Sequence, residues 1–149
     1  MAHAQQQILD AVAAVLAGGS TAAGTRVFLD RVDPLQPNEL PAITVDEAGE
    51  GESVEQTTIH SVEQRALGVT VACIVAHGSQ AAAQARELGL QVEKLLAGST
   101  ALLALCKLGV QINSSRIVIS GEGDRLMASR EQNWTMTYMV AAETPDIIF

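Results

Sequence analysis

Aromatic side chains are nearly missing from this chain: one Trp, one Tyr and two Phe, 3% of 149 residues. Its core must therefore come from Ala, Val, Leu and Ile, which bury less area per residue than rings do. Such a core holds a domain of this size with little margin, so burial against further copies would help. Positive charge is scarce as well. Nine Lys and Arg face seventeen Asp and Glu, a net charge of −8, and no run of bases occurs. That excludes nucleic-acid binding through a basic face, because neutralising phosphates takes clustered Lys and Arg. An acidic channel wall past which DNA slides without sticking stays open. No stretch approaches the ~18 uninterrupted apolar residues of a membrane span. The opening MAHAQQQILDAVAAVLAGG has no basic flank and carries Asp10 in its apolar part, so it reads as a helix of the mature protein in a cytosolic setting, not as a secretion signal. Only two cysteines occur, Cys73 and Cys106, both in apolar surroundings, and they are expected to be buried free thiols.

Reactive motifs are missing too. Neither type of phosphate-binding glycine loop is present; Gly121-Glu122-Gly123 is a lone fragment with an acid where an anion site avoids one, and it reads as a hairpin turn. His3, His60 and His77 lack metal-ligand spacing to one another or to the cysteines. Counting Asp46 as the first ligand of a calcium loop puts Gly51 at the required sixth position, but Ala48 and Thr57 fill the third and twelfth, where ligands belong. No serine sits in a Gly-x-Ser-x-Gly turn, and Cys73 lies mid-strand on an apolar face that disfavours a thiolate. These absences argue against an enzyme and against any cofactor or metal.

What is present is an alternation of helix and strand patterns, with length for one domain over 1–149. Gln5 to Ala17 places Ile8, Val12, Val15 and Leu16 on one stripe beside Leu9, and Gly18-Gly19 ends it. Thr25 to Val32 is a strand. A loop with Pro34 and Pro37 follows, and Pro41, which pushes Leu40 towards extended geometry, sets the start of the next strand, Ala42 to Glu47. Asp46 to Glu55 holds five acids and two glycines and reads as an acidic loop over about 46–58. Ser61 to Val75 is a long strand with Leu67, Val69, Val71, Cys73 and Val75 on one face and the small Ala66, Gly68, Thr70 and Ala72 on the other, a pattern expected of a central strand covered on both sides. Gly78-Ser79 is expected to cap a helix from Gln80 to Ala97, with its stripe at Ala81, Ala85, Leu88, Val92 and Leu95. Ser99 to Lys107 is a short apolar turn or helix. In the strand Val110 to Ser120 the apolar phase shifts between Ile112 and Ile117, which indicates a bulge. Arg130 to Val140 is the last strand. Without regular strand–helix alternation a doubly wound parallel sheet is excluded. The fold class expected is α+β: an antiparallel or mixed sheet of about five strands flanked by two main helices.

Three features point to self-association. The small-residue face of the long strand suits a subunit contact as well as a helix. The terminal Ile147, Ile148 and Phe149 are apolar where chains usually fray. Arg26, Arg31, Arg65 and Arg130 flank strands where they can meet Asp46, Glu47, Glu50, Glu52 and Glu55 of another copy, or form ordinary surface ion pairs worth ~0–1 kcal/mol each.

Taken in order, QQQILDAVAAVLAG, RVFLDRVDPLQPNELPAITV, the acid-rich insertion, RALGVTVACIVA, AAAQARELGLQVEKLLAG and a closing strand pair around GEGD resemble the tail terminator (tail completion) proteins of long-tailed bacteriophages, the group that includes minor tail protein U. The likeness runs over nearly the whole chain and lies in order, length and texture, with ELPAI its most recognisable piece. It implies an antiparallel sheet flanked by helices. It also implies a ring, commonly of six copies, docked on the last ring of the tail tube. There the ring stops tube growth and offers the surface that joins the filled head. The implied partners are further copies of itself, the tail tube protein and a neck or head-completion protein, with genome DNA passing through the lumen unbound and no membrane. The implied place is the tail or neck of the virion, after assembly in the host cytoplasm. The family brings no catalytic residues. Two rivals remain: another neck ring, such as a stopper or connector, and a small acidic ligand-binding or enzyme-accessory domain.

Overall fold

A computed structural model describes residues 2–56, 61–120 and 126–149. The elements run α1 (Ala4–Ala17), β1 (Val27–Leu29), a 3-10 turn (Pro37–Glu39), β2 (Ala42–Gln56), β3 (Val62–Ala76), α2 (Ala81–Gly98), α3 (Thr100–Leu105), β4 (Gly109–Ser120), β5 (Met127–Ala141) and β6 (Thr144–Ile148). The sheet is mixed and ordered β1-β2-β3-β5-β4, with β6 also on β5. Only β1 and β2 run parallel; the other pairs are antiparallel. The expected α+β class holds.

Period-two alternation builds the core. Val69 and Val71 on β3 and Trp134, Met136 and Tyr138 on β5 turn to one face and meet Ile8, Val12 and Leu16 of α1 and Leu88, Val92 and Leu96 of α2. Each such side chain, fully buried, contributes about 1.5–3 kcal/mol. α2 lies close to β5 because residue 89 is glycine: a Cβ there would stand 3.0 Å from Gln132 Nε2 and 3.2 Å from Arg130 Cγ. The buried Gln132 is satisfied on both ends, donating to the Gly89 carbonyl at 3.0 Å and accepting from Trp134 Nε1 at 3.0 Å.

Several expectations change. The acidic stretch 46–56 is not a loop but the distal half of β2, paired with β3 from Glu52↔Leu67 to Gln56↔Glu63. Its glycines serve a register shift between Glu47 and Glu52 instead of ending the strand. The bulge lies over Gly68, where a Cβ would come within 3.0 Å of both Ala48 Cβ and the Gly51 carbonyl. β3 is central, but the helices cover one of its faces only; on the other, Ala66, Thr70 and Ala72 lie half-buried and Gly68 is buried under the β2 bulge. The first strand shortens to three residues, since the chain leaves it at Asp30 with φ 53. Gln80, not Ser79, is the N-cap of α2, and no side chain caps it. In that helix Leu96, not Leu95, is the fully buried residue. The apolar C-terminus pairs as β6, with Ile148 packed on the core. The bulge expected in β4 is there, between Ile112 and Ser114. His60 and the turn at 121–124 lie outside the described residues.

Gly68→Ala is expected to lower stability by about 1–3 kcal/mol, because the bulge must move off the strand. Gly49→Ala, with nothing within 4 Å of its Cβ, is the control and is expected to change little. Urea midpoints at an unchanged m-value check both.

Candidate assembly surface

Each charged residue singled out from the sequence has a definite place. Glu52 stands on the helix side of β2, its side chain only 6% exposed. Its Oε1 accepts from the Tyr138 hydroxyl; its Oε2 accepts from Gln5 Nε2 at 2.6 Å and, more loosely, from Arg65 at 3.4 Å. This carboxylate thereby ties the distal hairpin to the start of α1 and to the middle of the sheet. Arg65 also meets Glu63 at 2.8 Å, and that hydrogen bond raises its pKa most. Tyr138 lies opposite Arg65 on the neighbouring strand, and burial, then the Glu52 contact, push its pKa up.

Arg31 grips Glu39 with two nitrogens, at 2.6 and 2.8 Å, and its guanidinium carbon lies 4.5 Å from the Phe28 ring centre. The same group donates to the carbonyls of Asp33 and Pro34. The proline loop is closed by this one side chain, which also draws the Glu39 pKa down, helped by the Gln36 N–H. Arg26 donates to the Pro41 carbonyl at 2.8 Å and holds the start of β2 against β1. Arg130 donates to Ser115 at 2.6 Å. All four arginines thus bond within their own chain.

Asp46 is half-buried, and desolvation, then the charge of Asp30, raise its pKa. Glu47, Glu50 and Glu55 are exposed, as are Ile147 and Phe149 at the end of the chain. Both cysteines are buried free thiols, as expected. Burial holds each near 12, with the Glu93 charge adding to the shift at Cys73. Neither supplies a thiolate near neutrality.

The helix-free face of β3, β5 and β4 has a different character. Thr70 donates to Asn133 at 2.9 Å, Asn133 to Ser114 at 3.0 Å, and Asn113 to Thr135. Ala66, Gly68 and Ala72 lie between these groups. Among the described residues of the three strands this face carries one base, Arg116, and one acid, Glu131, 3.1 Å apart. A polar cross-strand ladder with a balanced charge pair thus occupies the middle of this face, and a hollow of about 330 Å³ opens where Ala66, Gly68 and Thr135 meet Glu50 and Ser53 of β2. Sequence reading missed this network. The Thr, Ser and Asn at alternate positions were its signal, readable only once the β4 bulge fixes the pairing.

A hollow of about 350 Å³ opens between the proline loop, the end of β3 and α2, lined by Pro37, Leu40, Pro41, Val75 and Leu88, with Gln84 as the one amide. It has no set of convergent polar groups to orient a ligand.

No family model and no curated protein matches this chain. Among solved structures, a chain of the virion of native gene transfer agent (GTA) particle is similar, with 18% identity over 91% of this chain and 90% of that one and a TM-score of 0.48.

Two expectations follow from the buried groups. Glu52→Ala removes the acceptor of the Tyr138 O–H and loosens Arg65, and is expected to cost about 2–3 kcal/mol in a denaturant titration. Stability is also expected to fall in alkali. The folded chain keeps thiol protons that the unfolded chain gives up from about pH 9, so this contribution is whole below pH 9 and is lost as pH rises towards 12. The slope is at most about 1.4 kcal/mol per pH unit for each thiol, and Cys106→Ala is expected to flatten it; an unchanged slope would contradict the assignment.

Proposed function

We propose that this chain is a virion component of the tail terminator kind. Six copies close into a ring on the head-proximal end of the tail tube, end its growth and present the surface to which the neck or head-completion protein attaches. The support is the sequence resemblance over nearly the whole chain together with one structural observation, the helix-free sheet face. Its Thr, Ser, Asn and Ala side chains are short, and among the described residues no base on β3, β4 or β5 is left there without an acid beside it. A wall of that kind, turned to the axis of a ring, lets a polyanion pass without binding it. The helices then lie outward and the net charge of −8 repels the passing phosphates. Nothing in this role needs a nucleophile or a cofactor: the work is done by shape. One end of the ring matches the tube, and the other does not accept a further tube ring.

The decisive measurement is assembly. Purified protein is expected to have the mass of a closed ring, alone or once tube ends are supplied, and to arrest tube growth when added to polymerising tail tubes. Particles made without it are expected to carry over-long tubes. A monomer that leaves tube ends bare under every condition would overturn the reading. Binding on the portal side instead of the tube end would make it a stopper.

A further inference from the structure

We propose that each copy seats an apolar corner, made by Leu103, Leu108, Ile147 and Phe149, in a recess of the next copy at the distal outer edge of β2, around Val54. The proposal rests on the ring reading above and names its joint.

The corner is where the chain leaves large apolar side chains in water. α3 buries Leu102 and turns Leu103 outward. The helix ends at the buried Cys106, and Gly109 N–H donates to the Cys106 carbonyl, so a closed turn links α3 to β4 and displays Leu108. Leu108 N–H donates to the Thr137 carbonyl of β5, and Phe149 N–H to the Met139 carbonyl. Carbonyls two residues apart leave a strand on the same side, about 7 Å from each other. The start of β4 and the residue after β6 therefore stand end to end on one edge of β5. Ile148 between Ile147 and Phe149 packs on the core, whereas Leu103, Leu108, Ile147 and Phe149 are 41 to 49% exposed. Between Lys94 and Arg116 the sequence holds a single charge, Lys107, and no acid, in a chain of net charge −8. An apolar patch of this kind marks an interaction site.

The other side of the sheet offers a place for it. β1 covers β2 only at Ile43–Val45, and Asp30 N–H closes on the Val45 carbonyl just past it. Beyond that point β2 is the outermost strand, and the sheet steps back by one strand spacing, about 4.8 Å. In this recess Val54 is 47% exposed and shares the helix side with Glu52, two residues before it. Ser53, Glu55 and Gln56 beside it are exposed as well.

Register sets corner and recess at one height. Val54 pairs with Arg65 and Arg65 with Tyr138, so Val54 is level with residue 138 of β5, between the carbonyls that hold Leu108 and Phe149. Copies repeated about an axis along the strands keep every level and bring the β4 side of one to the β2 side of the next, helices outward in both. Charge agrees. β2 carries five acids and no base, so two such edges repel each other. The corner brings Lys107 instead, and Glu55, level with Met139, is its counter-charge. The acids of β6 and its turn, Asp146 and Glu143, lie towards the hairpin tip, with Ile147–Phe149 between them and Leu108. Because the joint uses two different surfaces, it is head-to-tail and closes into a ring when the rotation closes.

Assembly of surface variants tests this, with the denaturation midpoint of each as the check on folding. Leu108→Glu and Val54→Glu are each expected to raise the concentration for half-assembly at least tenfold with an unchanged midpoint. Leu90→Glu, on the outer side of α2 and similarly exposed, is expected to leave assembly as it was. Lys107→Glu and Glu55→Lys are each expected to weaken assembly at least threefold, and the two together to return it to the wild-type concentration. A Leu108→Glu or Val54→Glu protein that assembles like the wild type would overturn the joint and leave the ring reading standing. Loss with Leu108→Glu alone would mark the corner as paired with its own kind or with the tube. A double charge reversal no better than the single ones would also overturn the joint. Failure to assemble alone or on tube ends would remove the ring reading and the joint with it.

Discussion

The unbroken pairing of β3 with β5 is the constraint on which the rest of the structure depends. All fifteen residues of each strand are in register, from Val62↔Ala141 to Ala76↔Met127, without a bulge. With a side-chain period of two, a slip of one residue would turn the apolar set of one strand, Val69 and Val71 or Trp134 and Tyr138, away from the helices. This pairing sets Arg65 beside Tyr138, and so builds the clasp on Glu52. It sets Thr70 beside Asn133, and so begins the polar ladder of the opposite face. The flanking strands each carry a register shift, at Glu47/Glu52 in β2 and Ile112/Ser114 in β4. Irregularity is thus kept to the outer strands, where bending does not break the centre.

Much of this was legible in the sequence because the signal was periodic. The stripes of α1 and α2, the long central strand and the changed apolar phase of β4 follow from which residues can share a face. The acidic half of β2 was not legible. Five acids and two glycines in ten residues have the composition of a solvated loop, and only the presence of β3 alongside gives those backbone groups a ladder to join. The small face of β3 misled in a related way. Ala66, Gly68 and Ala72 suited a covering helix, but on the sheet they make room for the bulge of β2 and for the polar ladder. Tertiary pairing overrode local propensity in both cases.

The candidate residues were legible as types more than as roles. Arginines flanking strands opposite a run of acids suggested contacts between copies. Within one chain, Arg31 closes the proline loop on Glu39, Arg26 holds the Pro41 carbonyl, and Arg65 meets Glu52 and Glu63. A guanidinium with several donors in a fixed plane satisfies nearby carbonyls and carboxylates at low entropic cost. The short separations, eight residues for Arg31–Glu39 and two for Arg65–Glu63, make that outcome cheap. Glu52 differs. Nothing local marks it out from Glu50 or Glu55; it is buried because the register shift returns the strand with residue 52 facing the helices.

The clasp on Glu52 carries the central pairing outward. Glu52 accepts from Tyr138 on β5 and from Gln5 at the start of α1, so the distal half of β2 is tied at once to the middle of the sheet and to the helix layer. The register shift before it brings a carboxylate to that side, and Gly68 beneath the bulge gives the shift room. The aromatic-poor core leaves the domain a modest margin, and hydrogen bonds to a charged group, worth about 1.5–3 kcal/mol each, offset part of the burial that rings would have supplied.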